Sequence, residues 1–180
     1  MFKKIFSLVV VGAILMAPTS ASASSHAKSL QNLGFNEIMF AQAMIPHHKQ
    51  AVTMSEMALK KSQSQAVLKL ARGIISAQKA EVSQLTYWLK ATKSSMTMDH
   101  EMPMSGMLTK KELAALNSLS GTQFDRKFLE LMIKHHQGAL EMLDLLTNAK
   151  NKEARSLAKE IGSAQSSEIS SMKNLLVKIK

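Results

Sequence analysis

The chain has no cysteine. That excludes a disulfide framework, a thiolate zinc site, an iron–sulfur cluster and a cysteine nucleophile. Only seven glycines and three prolines punctuate 180 residues, too few for the many turns of a β-sandwich or barrel. Aromatic residues are scarce, and acidic residues number 13 against 23 basic ones. A basic balance can mark nucleic acid, an anionic membrane face or an acidic partner. Here Lys60, Lys69, Lys79, Lys90, Lys110, Lys150, Lys159 and Lys178 are scattered and not clustered with aromatics, which suits solvated helix faces. No nucleic-acid partner is expected.

What the chain has in excess is methionine, 14 residues, together with six histidines. With cysteine absent, these are the only soft or borderline metal-ligand side chains present. The first residues read as a secretory signal peptide, 1–23. Lys3 and Lys4 form a basic start, Ile5 to Met16 is apolar apart from Ser7 and Gly12, and Ala21-Ser22-Ala23 is an A-x-A cleavage pattern. The apolar run is shorter than the ~20 residues of a membrane span. The mature protein is therefore expected to be exported, most simply to a bacterial periplasm, without stable membrane insertion. Loss of Lys3 and Lys4 lowers its formal charge from +10 to +8. An N-terminal linker over 24–35 and one domain over 36–180 should follow.

The sequence repeats itself. Residues 40–54 (FAQAMIPHHKQAVTM) align with 128–142 (FLELMIKHHQGALEM) at an offset of 88. A second pair of blocks follows at an offset of 87: Ser76-Ala77-Gln78 leading to Glu81, and Ser163-Ala164-Gln165 leading to Glu168. Four blocks at one long offset indicate a duplicated helical hairpin, not a solenoid of short repeats. Each block carries apolar residues at steps of three and four, the mark of a helix with one inward face. The spacing predicts an all-α fold, a four-helix bundle of two duplicated hairpins, with helices near 36–61, 64–92, 122–148 and 151–179. Thr109 and Glu112 form a capping box for a short helix at about 110–118. Pro46 should bend the first helix.

On these stripes, polar groups stand where leucine would normally sit. His48 and His136 occupy such positions, and so do Gln78, Glu81, Gln165 and Glu168 on the partner helices. A buried carboxylate needs a partner or a raised pKa. One reading is a layer of His–Glu hydrogen bonds that fixes helix register. The other is a ligand cluster in which Gln78, Glu81, Gln165 and Glu168 support the histidines from behind. Spacing alone leaves both open. Met44 precedes His47 and His48 by one turn, and His47 and Met54, seven apart, line up on the flank of the same face; Met132, His135, His136 and Met142 repeat the arrangement. The linker over 93–121 adds MTMDHEMPMSGM, with Met96, Met98, His100, Met102, Met104 and Met107. Pro103 and Gly106 oppose a helix there, so these methionines are not a packing stripe. Thioether plus imidazole favours Cu(I) and, by the same softness, Ag(I), while Cu(II) suits the imidazoles. Zinc is less favoured.

MIPHHKQAV, LMIKHHQGALEM and the paired SAQ-x2-E blocks resemble domain-of-unknown-function family 305, over nearly all of 35–179. The resemblance implies a ferritin-like duplicated four-helix bundle. The family's exported members include CopM-like periplasmic copper-binding proteins with Met and His ligands. It thereby implies copper homeostasis or resistance, and on matching positions it points to Met44, His47, His48, Met132, His135 and His136. Lys134 departs from the pattern, standing where the family often has proline, as at Pro46. The functions to weigh are a non-enzymatic copper-binding module, which would meet other periplasmic copper-handling proteins, a ferritin-like di-iron oxidase, and a structural bundle that binds a partner or a second copy. Di-iron sites of this fold use Glu-x-x-His on two helices, whereas here each polar helix carries Gln-x-x-Glu. No Ser–His–Asp signature or phosphate-binding loop is visible.

Overall fold

In the computed structural model, which describes residues 30, 32–98 and 104–179, five α-helices carry the chain and no strand occurs among these residues. Helix α1 spans Phe35–Lys61, α2 Gln65–Ala91, α3 Lys110–Ser118, α4 Gly121–Met142 and α5 Lys152–Lys178. The expected boundaries agree to within one residue for every helix except α4. There the last turn tightens into a 3₁₀ segment, Leu143–Leu146, as helix C-termini commonly do. The signal peptide and most of the N-terminal linker expected from the sequence lie outside the described residues. Among those described, no helix is long and apolar enough to cross a membrane.

Local chemistry sets these ends. Ser64 accepts from the Val67 amide at the start of α2, and the Asn151 side chain accepts from Glu153 and Ala154 at the start of α5. The Thr109–Glu112 capping box forms as expected, with the Thr109 amide donating to Glu112 Oε2 at 2.7 Å. Each such cap satisfies amides the helix leaves open. Helix α1 continues through Pro46 without a break in its span.

The architecture is two antiparallel hairpins, α1–α2 and α4–α5, joined chiefly where α1 lies against α4. Helices α2 and α5 flank this central pair and barely touch each other. The apolar core falls into two clusters. One holds Ala51, Met54 and Ala58 from the second half of α1, Val67, Ala71 and Ile74 from α2, Phe124, Phe128 and Met132 from α4, and Ile169 and Met172 from α5. The other holds Phe40, Met44 and Ile45 from the first half of α1, Leu85, Trp88 and Leu89 from α2, Ala139 from α4, and Ala154, Leu157 and Ile161 from α5. Leu30 and Leu33 also pack into this second cluster. Duplicated residues thus sit in opposite clusters: Phe40 and Met44 in one, Phe128 and Met132 in the other. The sequence repeat has become a pseudo-two-fold axis, and the histidines lie where it passes between the clusters.

Candidate metal centre

All four helix histidines are buried, with His135 1% exposed and His47, His48 and His136 0%. His47 and His135 meet across the α1–α4 contact with ring centroids 3.8 Å apart and planes tilted by 39°. Their duplicated neighbours turn outward to the flanking helices. His48 Nε2 lies 2.7 Å from Glu81 Oε2 on α2, and His136 Nε2 lies 2.7 Å from Glu168 Oε2 on α5. The His136 contact is an aligned hydrogen bond; the His48 contact is as short but less well directed.

These contacts assign protons. An ionised carboxylate and a backbone carbonyl only accept. His136 therefore donates from Nε2 to Glu168. His47 donates from Nε2 to the Ser105 carbonyl at 3.1 Å. In His47 the lone pair is left on Nδ1, and Nδ1 of both rings is buried with no protein partner. His48 Nδ1 is likewise buried and unpartnered, while the His135 ring, equally buried, has the His47 backbone as its one polar neighbour, too poorly aligned for a good hydrogen bond. An imidazole whose far N–H is held by an oxygen acceptor is the usual arrangement behind a metal-ligating histidine.

Electrostatics keeps the central pair neutral. Burial, followed by the neighbouring His48, lowers His47 from 6.5 to about 3. Burial, followed by the neighbouring His47, likewise pushes His135 well below the ordinary imidazole range. Neutral imidazoles are the metal-binding form.

The connector seals the pair. Residues Met104–Met107 form a turn, the Met107 amide donating to the Met104 carbonyl at 3.2 Å, with Gly106 at φ +78°. A Cβ on Gly106 would lie 2.7 Å from the Lys134 carbonyl oxygen, and one on Gly138 would collide with the Ser105 carbonyl. The turn therefore lies directly on the backbone of α4. On the α1 side, Gln50 Nε2 donates to the Leu108 carbonyl at 2.9 Å, and the Leu108 amide donates to Gln50 Oε1 at 2.7 Å. Upstream, Gln42 Nε2 donates to the Ser95 and Thr97 carbonyls.

Of the residues singled out in the sequence, the structure brings together His47 with His135, His48 with Glu81, and His136 with Glu168. Met44 and Met132 are fully buried one turn before the central pair, on opposite sides of it. Met54 is fully buried within one apolar cluster, and Met142 packs against the other. Gln78 and Gln165 are buried, with both amide atoms of each unpartnered. Met104 and Met107 are half-buried on either side of Ser105 and Gly106, Met98 is half-buried, and Met96 is exposed. His100 and Met102 lie outside the described residues. Among the described residues, no three His, Asp or Glu side chains gather around one point.

Sequence reading placed His47 on a flank and missed its contact with His135. It also missed Ser105, Gln50 and Gly138. A signal for the last was present: the repeat pairs Gly138 with Gln50, and a glycine inside a helical pattern often marks a close backbone approach.

A doubled helical hairpin with an inward layer of histidines, backed by glutamates and capped by a methionine-bearing turn, defines a class of histidine-layered four-helix bundles. The chain belongs to the family Domain of unknown function (DUF305), whose sequence pattern matches residues 37–176. A DUF305 protein from Streptomyces coelicolor is 29% identical, with a TM-score of 0.76 over 79% of this chain and 93% of that one. A DUF305 fragment from Deinococcus radiodurans is 33% identical, with a TM-score of 0.74 over 81% and 98%. CopM in its Cu(I)-bound form is 34% identical, with a TM-score of 0.66 over 79% and 96%. CopM has also been solved with Cu(II) and with silver bound. Comparison with curated proteins gives no match.

Proposed function

We propose that this protein is an exported, non-enzymatic copper-binding module. It takes Cu(I), with Ag(I) as a chemical analogue and Cu(II) at the imidazoles, and buffers or delivers the ion in copper homeostasis or resistance. The observation that carries this reading is the buried, neutral His47–His135 pair, with His47 Nδ1 unpartnered, beneath a turn bearing Met104 and Met107. A nitrogen-and-thioether donor set suits Cu(I) better than zinc, and iron would want more carboxylates than this layer offers. His47 and His135, with thioethers drawn from Met44, Met132, Met104 and Met107, would hold the ion. His48 and His136, steered by Glu81 and Glu168, would complete or relay it. Met96, Met98, His100 and Met102 would capture it from solution, and Met54 and Met142 would fill the cores. The copper- and silver-bound forms of the similar protein CopM support the choice of metal. Other periplasmic copper-handling proteins are the natural recipients.

The test is a Cu(I) competition titration on the mature chain, with metal analysis and zinc as the control. Tight Cu(I) binding, lost in a His47→Leu/His135→Leu variant, is expected. A mature chain that takes up no copper ends the proposal. A second reading, that the layer only fixes helix register, draws support from the lack of any three gathered nitrogen or oxygen ligands among the described residues. It predicts a His48→Leu/His136→Leu protein with unchanged stability and unchanged metal binding.

A further inference from the structure

We infer that the Met104–Met107 turn is a latch over the His47–His135 pair, seated by Gly138 and rooted by Gln50, whose lifting sets how fast an ion enters and leaves. The part concerning the ion rests on the copper reading above; the latch itself rests on geometry. Ser105 is exposed while the two rings directly beneath it are not. The turn therefore lies between the pair and solvent.

Among the described residues its attachments are few and local. The Ser105 carbonyl accepts from His47. The Gln50 amide holds the backbone of Leu108 at both ends. The Leu108 side chain is sunk in the apolar core, and the capping box of α3 begins at the next residue. So the root is fixed while the described part of the turn ahead of it is held by one part-buried hydrogen bond and by packing on α4, the kind of segment that opens locally before the fold does.

The seat is a gap in α4. A helix-interior glycine is unfavourable relative to alanine, and Gly138 needs no special φ. What it supplies is room: a Cβ there would strike Ser105 backbone and come within 2.6 Å of the Gly106 amide nitrogen. The obstruction is backbone, not the end of a flexible side chain, so the whole turn must move. Gly73 in α2, by contrast, faces open space.

The experiment compares wild type with Gly138→Ala, Gln50→Ala and, as a helix-interior control, Gly73→Ala. In the metal-free protein, amide exchange at Met107 and Leu108 and diethyl pyrocarbonate modification of His47 and His135 are measured, with circular dichroism to verify the fold. Gly138→Ala should accelerate both by about ten-fold or more, as expected for loss of a locally closed state. Gln50→Ala should act in the same direction at Leu108, and Gly73→Ala should match wild type. In the Cu(I)-loaded protein, a chelator should strip the ion from Gly138→Ala faster by a similar factor. Wild-type exchange and modification rates in both Gly138→Ala and Gln50→Ala overturn the latch. Exposed histidines with unchanged ion release overturn its control of the ion. A wild-type chain that takes up no Cu(I) refutes the proposed function instead, and the metal-free arm keeps that outcome apart from the latch.

Discussion

Mild acid should destabilise the metal-free protein through two side chains at its centre. His47 is held at about 3, against 6.5 for an ordinary imidazole, chiefly because it is buried. Above pH 6.5 the ring is neutral in both folded and unfolded chains, and stability gains nothing further from it as pH rises. Between 6.5 and about 3 only the unfolded chain takes up the proton, so stability falls as pH falls; below about 3 both states are protonated and the loss stops. Each unit is worth 1.36 kcal/mol once pH is well below 6.5, and the unfolded ring is half protonated at 6.5 itself, so moving from pH 6.5 to 4.5 should cost about 2 kcal/mol from His47 alone. His135 is shifted in the same direction by the same cause and adds to the loss. Urea unfolding followed by fluorescence of the buried Trp88, the one tryptophan in the chain, measures it at the two pH values. Surface carboxylates titrate in this range too, so the decisive quantity is the difference from a His47→Leu/His135→Leu variant, which should lose much less. If wild type and variant lose the same stability, the neutral buried pair is not what the acid attacks.

Other outcomes follow from the same contacts. Glu168→Gln and Glu81→Gln should lower Cu(I) affinity by about 10–100-fold while preserving helicity, as loss of an orienting partner behind a ligating histidine does; a titration as tight as wild type would detach these glutamates from the site. Replacing His136 and Glu168 together by leucine should leave metal-free stability unchanged or raise it, since a polar pair set into an apolar stripe often does no better than apolar packing; thermal unfolding checks this. Met104→Leu with Met107→Leu should weaken Cu(I) binding without lowering the melting temperature, whereas Met54→Leu should leave binding intact. Thr109→Ala should destabilise α3 by about 1 kcal/mol, visible as faster exchange at the Glu112 amide.

Helix positions were legible because apolar steps of three and four, the Thr109–Glu112 capping box and the doubled blocks all agree on the same boundaries. The layer of His48, Glu81, His136 and Glu168 was legible for the same reason: each interrupts an apolar stripe. The pairing of His47 with His135 was not, because a single inward stripe describes a helix buried on one side. Helices α1 and α4 are the central pair, each covered by a flanking helix as well as by the other, so their buried face is wider than one stripe. The seating of the turn was hidden for a different reason. It is made by backbone carbonyls, a glutamine amide and the missing side chain of Gly138, none of which leaves a periodic trace. The Met-rich segment showed the composition of a ligand donor but not which of its residues come to rest on the bundle.

A duplicated hairpin starts with equal halves, but one connector must cross between them and can lie on the axis in only one way. At the place where it crosses, the first half offers Gln50, which reaches out, and the second offers Gly138, which makes way. His47 gives its proton to the crossing strand, and His135, its twin, does not. The two repeats have therefore ceased to be interchangeable: copying either half over the other would build a bundle with two reaching arms or two vacant seats, and neither could fasten the connector that joins them.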